Sequence, residues 1–304
     1  MKQLLHMPGI VTVLNTPFLD DNTVDEDGLR RHVRYALDAG VAGFLVPAMA
    51  SEVSALTGGE RLRLVEIAVE TSAGRVPVIG GASAADQEAR MQAARDLIRI
   101  GCAGILVSIP FESEAAYRRD IFELASLNPG FLMIQDWDAT GEGLPIPLIL
   151  QLFEDIAEFR CLKIETANAG RKYTRVLEAT KGRLHVSGGW AVTQMIEGLD
   201  RGIHAFMPTG MHYAYVRIFD SYIRGDREAA VALFRRIAPV LSFSNQKLDI
   251  SILFFKRLLH AQGVYTTERA RVPNDPFDIY QGRVANELAE LAKSIEQELS
   301  GGQH

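Results

Sequence analysis

The feature that most constrains the folding of this 304-residue chain is a repeat of pattern, not of residues. Short apolar, β-branched runs recur eight times, and amphipathic segments separate them. The runs are GIVTVLNTPF (9–18), AGFLVPA (42–48), VPVIGGAS (76–83), AGILVSIP (103–110), FLMIQD (131–136), CLKIET (161–166), RLHVSGG (183–189) and HAFMPT (204–209). Strands apolar at consecutive positions suit a parallel sheet covered on both faces. The separating segments read as helices. Segment 25–40 opens on an acidic turn and closes at Gly40, while 58–74 and 83–101 close in the same way at Gly74 and Gly101. Segment 147–159 carries Pro147 at its start, where a missing N–H is harmless.

This alternation predicts the α/β class, and within it a (β/α)8 TIM barrel over residues 1–225. The competing arrangement is a doubly wound open sheet. It wants a glycine-rich phosphate turn after its first strand, and LNTPFLDD is not one. Beyond residue 225 the segments 226–243, 245–263 and 283–300 read as helices with no strand between them. They are expected to form a C-terminal helical extension, residues 226–304, packed on the barrel as part of one structural unit.

Composition excludes several functions. The formal net charge is −6 and no basic run occurs, which argues against a nucleic-acid partner. No apolar run approaches the roughly 20 residues of a membrane span, and MKQLLHMPGIV lacks the apolar core of a signal peptide. A soluble, cytoplasmic protein is expected. Cys102 and Cys161 lie in apolar surroundings and read as buried free thiols. His6, His32, His185, His204, His212 and His260 do not cluster at ligand spacing, so no metal is expected and a metal-dependent aldolase is disfavoured. His185 and His204 read as core histidines, and Trp137 and Trp190 as residues that wall a pocket or pack under loops.

A barrel places its chemistry at the C-terminal ends of its strands. One lysine stands among those ends, in CLKIET. Strand alternation puts Lys163 and Glu165 on one face and Ile164 on the other. Burial penalises the charged form of an amine, and the neutral form attacks ketones to give a Schiff base. The alternatives are a structural ion pair with Glu165 or a lysine reaching out to solvent.

These residues carry a resemblance. The chain resembles the dihydrodipicolinate synthase / N-acetylneuraminate lyase family of class I aldolases and dehydratases over nearly its whole length. AGVAGFLVPAMASEVSALTGGER is similar to the segment whose G-T-T-G-E loop follows the second strand. VPVIGGAS resembles the third strand, CLKIET the sixth, VSGGW the S-G-D-D segment and HAFMPTG the eighth. The resemblance implies a TIM barrel, a covalent Schiff base at Lys163 with no other cofactor, and a homo-oligomer, tetramer or dimer. It implies that Ala50, Ser51 and Glu52 lie in the loop that holds the substrate carboxylate, and that Asp136, Ser187, Gly188 and Thr209 line the site.

The departures narrow the function. Both threonines of the loop are gone. The family's proton-relaying tyrosine at the fifth strand falls on Gln135 or Ile134, and DWDATGEG has no arginine for a second carboxylate. SIPFESE offers Phe111 in place of a tyrosine pair. A dihydrodipicolinate synthase and a tyrosine-dependent sialic acid lyase are thereby disfavoured. MIQD, KIET and SE are similar to L-2-keto-3-deoxyarabonate dehydratase and its relatives, whereas the loop PTGMHYAYVRIFD departs from them. The expected activity is dehydration of a 2-keto-3-deoxy sugar acid through a Lys163 iminium. Glu165 is the favoured acid–base group, with Ser51, Ser187, Asp136 and a water also in play, and Gln135 orients substrate or water. Two alternatives remain: a pyruvate-dependent class I aldolase with the same iminium, and a noncatalytic keto-acid-binding homologue.

Overall fold

A computed structural model describes residues 2–272 and 276–301, with the side chains of Trp190 and Ala191 outside the described set. Eight parallel strands follow one another around a closed barrel in chain order. They are β1 (Gly9–Val13), β2 (Gly43–Val46), β3 (Val78–Gly81), β4 (Gly104–Val107), β5 (Leu132–Asp138), β6 (Phe159–Thr166), β7 (His185–Gly188) and β8 (Ala205–Phe206). Between them run α1 (Glu26–Ala39), α2 (Gly58–Ser72), α3 (Gln87–Ile100), α4 (Glu114–Ala125), α5 (Ile146–Asp155), α6 (Ala169–Ala179) and α7 (Met195–Asp200). Then come α8 (His212–Ile223), α9 (Arg227–Ser244), α10 (Leu248–Ala261) and α11 (Ile279–Gly301). The (β/α)8 barrel and the helical tail read from the sequence are both present.

The local chemistry explains most boundaries. Asp25 caps α1 by accepting from Gly28 N–H at 2.8 Å, and Gly40 closes the helix in the left-handed region at φ 90°. Thr57 and Glu60 form a reciprocal capping box on α2. That helix ends one residue earlier than its glycine suggests, because Ala73 itself takes the left-handed conformation. α3 starts at Gln87 and not at residue 83, since the Asp86 carboxylate caps Ala89 N–H at 2.8 Å. α5 stops at Asp155 rather than 159: Ile156 is extended and Phe159 already opens β6.

The chain divides into two compact units. The first comprises residues 1–8 and 77–207. In it β5 and β6 pair through seven aligned residues with one register shift, and β6 pairs with β7. Their central residues are almost wholly buried, as a sheet covered on both faces requires. The second unit comprises residues 9–76 and 208–304. There α9 and α11 pack on α8, and α10 packs on the short turn Met49–Ser51. Lys256 of α10 and Glu52 form a fully buried ion pair, with the ammonium 4.3 Å from the centre of the Phe18 ring. The Glu52 carboxylate also accepts Arg271 N–H and Val272 N–H, each at 2.6 Å.

Candidate active site

Parallel pairing sets Gln135 of β5, Lys163 of β6 and Ser187 of β7 in one row, so their side chains share a face. Glu165 stands two residues beyond Lys163 on that same face. Lys163 is 5% exposed, and its Nζ lies 3.1 Å from Glu165 Oε2. The Gln135 amide Nε2 donates to the same carboxylate oxygen. An ammonium and an amide N–H therefore hold Glu165 in one orientation. Gly189 comes close just past β7: a Cβ there would overlap the Glu165 carboxylate and stand 2.5 Å from Lys163 Cε. Only glycine leaves room for the pair.

One layer below, the interior is polar but closed. Cys161 Sγ lies 3.1 Å from His185 Nδ1, and His185 Nε2 lies 3.0 Å from Met7 O. A carbonyl only accepts, so Nε2 carries the proton and Nδ1 accepts from the thiol. Burial pushes His185 down to about 3 and the Cys161 thiol up, so both stay neutral. Neither Cys161 nor His185 is a reactive group. His204 stacks on His185 and accepts from Val186 N–H. Among the described residues no cluster of His, Cys, Asp or Glu could hold a metal ion.

Other residues singled out from the sequence are engaged elsewhere. Asp136 points to the opposite face from Gln135, 1% exposed, with Lys172 Nζ at 2.5 Å and Leu144 N–H donating at 2.8 Å. Lys172 also donates to Leu144 O at 2.8 Å and to Glu142 O. Asp136 therefore ties the loop after β5 to α6. Its expected place on the substrate side is corrected by the alternation of the strand. Ser187 is fully buried, its hydroxyl directed at Met207 Sδ, and Gly188 is a strand residue paired with Ile164 and Phe206.

In the second unit, Ser51 Oγ accepts Ala48 N–H at 3.0 Å and donates to Leu14 O at 2.6 Å. Ala50 O accepts from Asn15 Nδ2, and Thr16 Oγ1 donates to Ser51 O. Glu52 sits in the left-handed region at φ 58° with its carboxylate spent on Lys256 and the 271–272 backbone. Thr209 Oγ1 lies between Val13 O at 2.6 Å and Asn15 Oδ1 at 2.7 Å. These side chains fix the loop that carries them.

Two cavities adjoin the strand ends of the first unit. One, of about 220 Å³, is lined by Trp137, Glu165, Thr166, Thr193 and Gln194 with small and apolar neighbours. The other, of about 690 Å³, lies between the 140–147 and 166–168 loops and carries Arg171, Lys172 and Arg175. Apart from Glu165 and Trp137, none of the first cavity's polar residues was singled out from the sequence. A threonine–glutamine pair four residues past the glycines of VSGGW is an ordinary surface pattern. Trp137 is 47% exposed at the cavity's edge. The role read for Trp190 concerns a side chain outside the described residues.

The closed barrel thus carries a lysine–carboxylate pair, largely out of solvent, on its sixth strand. The chain belongs to the dihydrodipicolinate synthetase family, whose model matches residues 6–293. It is 29% identical to an L-2-keto-3-deoxyarabonate dehydratase of Azospirillum brasilense over 87% of this chain and 88% of that one. It is 25% identical to a 4-hydroxy-tetrahydrodipicolinate synthase of Methanosarcina mazei over 93% of this chain and 98% of the relative. The structure of a dihydrodipicolinate synthase from Rhodopseudomonas palustris superposes with a TM-score of 0.86 at 20% identity, covering 96% and 99% of the two chains. At that identity the likeness establishes the fold alone. The protein is thus a lyase of this family, and no helix among the described residues is long and apolar enough to cross a membrane.

Proposed function

We propose that the protein dehydrates a short 2-keto-3-deoxy sugar acid through a Schiff base on Lys163. The observation that carries this reading is the Lys163–Glu165 pair at 3.1 Å, buried and steadied by Gln135. Glu165 takes a proton from the Lys163 ammonium, and the freed amine attacks the C2 ketone. Loss of water gives an iminium, which acidifies C3–H. Glu165 stands 3.1 Å from the nitrogen that would carry the substrate, and it serves as the base for the adjacent C3–H. The electron pair left at C3 flows into the iminium and returns to expel the C4 hydroxyl, protonated as it leaves, as water. Hydrolysis then frees Lys163. Gln135 cannot relay a proton as a phenol does, and its part is to hold the carboxylate in place.

The second reading, aldol cleavage to pyruvate and an aldehyde, uses the same iminium. The named dehydratase relative favours dehydration. The test has two arms. Borohydride with pyruvate should leave a mass adduct on Lys163 that Lys163→Ala lacks; no adduct in the parent overturns every Schiff-base version. Incubation with a 2-keto-3-deoxypentonate should yield ketoglutarate semialdehyde, and release of pyruvate instead would replace dehydration by aldol cleavage.

A further inference from the structure

The strands β5 and β6, which carry the site, are the longest of the eight. Among the described residues β6 pairs with β7 only as far as Ile164, opposite Gly188, whereas β5 accompanies it to Thr166, opposite Asp138. The backbone of Glu165 therefore lies on a two-stranded ribbon, opposite Trp137. Two strands by themselves are marginal and need another element packed on them. Here that element is α6.

Lys172 of α6 is 6% exposed, and all three donors of its ammonium are engaged: on Asp136 Oδ2 at 2.5 Å, on Leu144 O at 2.8 Å and on Glu142 O. The other Asp136 oxygen accepts Leu144 N–H at 2.8 Å. The end of β5 and the loop after it thus close on one buried cation. The fit is tight, since Gly143 has φ 67° and a Cβ there would overlap Asp136 Oδ1. Stability alone does not explain this pair. Burial pushes the Asp136 carboxyl up and the Lys172 ammonium down, against the charged form of each. Apolar residues of similar volume often serve stability as well or better. What the ion pair adds is direction, and Asp136 directly follows Gln135, whose amide holds Glu165.

We propose that Lys172 is a positioning residue for the lyase reaction: through Asp136 it fixes the end of β5, and through Gln135 the carboxylate of Glu165. This rests on the Lys163 iminium and on Glu165 as the base for C3–H, both proposed above. Without the Lys172–Asp136 pair the iminium still forms, and removal of the C3 proton is what slows.

The experiment uses pyruvate, whose C3 is its methyl carbon. Loss of a methyl proton from the iminium gives an enamine, which takes up deuterium in D2O, and NMR follows the exchange. Borohydride added under the same conditions counts the iminium on Lys163 by mass. Exchange per iminium separates the base from Schiff-base formation and from the amount of folded protein. The variants are Lys172→Met/Asp136→Asn, which strands no charge, and Gly143→Ala, which keeps both charges and crowds Asp136. Glu165→Gln is the reference for a lost base. Exchange per iminium should fall about tenfold or more in the first two, toward the reference, because a displacement near 1 Å costs about 100-fold in rate. Values within threefold of the parent overturn the positioning role, whatever happens to stability in urea. Exchange per iminium left intact by Glu165→Gln overturns the base on which the proposal rests, and a parent that traps no pyruvate overturns the iminium.

Discussion

Gly189→Ala tests whether the close approach of the chain after β7 sets the geometry of the Lys163–Glu165 pair. An added Cβ would stand 2.5 Å from Lys163 Cε, against about 3.4 Å for ordinary contact, so the lysine stem must retreat by about 0.9 Å. The Glu165 carboxylate must move further, because the new methyl would occupy its place. Lys163 is 5% exposed and has little room to retreat, and Glu165 can move only by breaking from Gln135. Overpacking of this kind costs about 1–3 kcal/mol of stability. A displacement near 1 Å in a reacting group costs about 100-fold in rate. Urea unfolding measures the first and steady-state kinetics the second. Repeating the substitution in a Glu165→Ala background isolates the collision, since the stability loss should shrink once the carboxylate is gone. A kcat within threefold of the parent, or a loss of stability that persists in full without Glu165, would refute the reasoning.

Two further predictions concern the second unit. Lys256→Ala strands the buried Glu52 charge and should cost about 3–5 kcal/mol in urea unfolding, whereas Lys256→Met combined with Glu52→Gln should cost clearly less. Glu296, buried where it accepts Ala214 N–H at 2.8 Å and Tyr35 OH at 3.2 Å, is pushed by burial from 4.5 up to about 7. Between those values the folded protein keeps a proton that the unfolded chain has lost, so this group's stabilisation is full below pH 4.5 and lost by pH 7, about 3 kcal/mol in all. The stability difference between parent and Glu296→Gln should shift by that amount between pH 4.5 and pH 8, and a constant difference would show that Glu296 does not titrate in that window.

Much of this was legible before any coordinates. The eight apolar runs carried the barrel because a strand buried on both faces has no polar alternation to hide it, and the cap residues Asp25, Gly40 and Gly101 marked helix ends by local chemistry alone. Lys163 and Glu165 stood out for the same local reason: two residues apart on a strand share a face. Boundaries at α3 and α5 were missed where a side-chain cap or the onset of the next strand outweighed helical periodicity.

What the sequence determined by itself is whatever depends on neighbours along the chain: strand, helix, cap and the facing of Lys163. Tertiary structure decided the rest, because it depends on neighbours across strands. Register brought Gln135 onto the Glu165 carboxylate, and the packing of α6 set Lys172 against Asp136. The path of the chain after β7 pressed Gly189 against Lys163 and Glu165 and placed Thr193 and Gln194 on the same cavity as Glu165. No spacing in the sequence encodes those distances, since each is set by how separate segments pack.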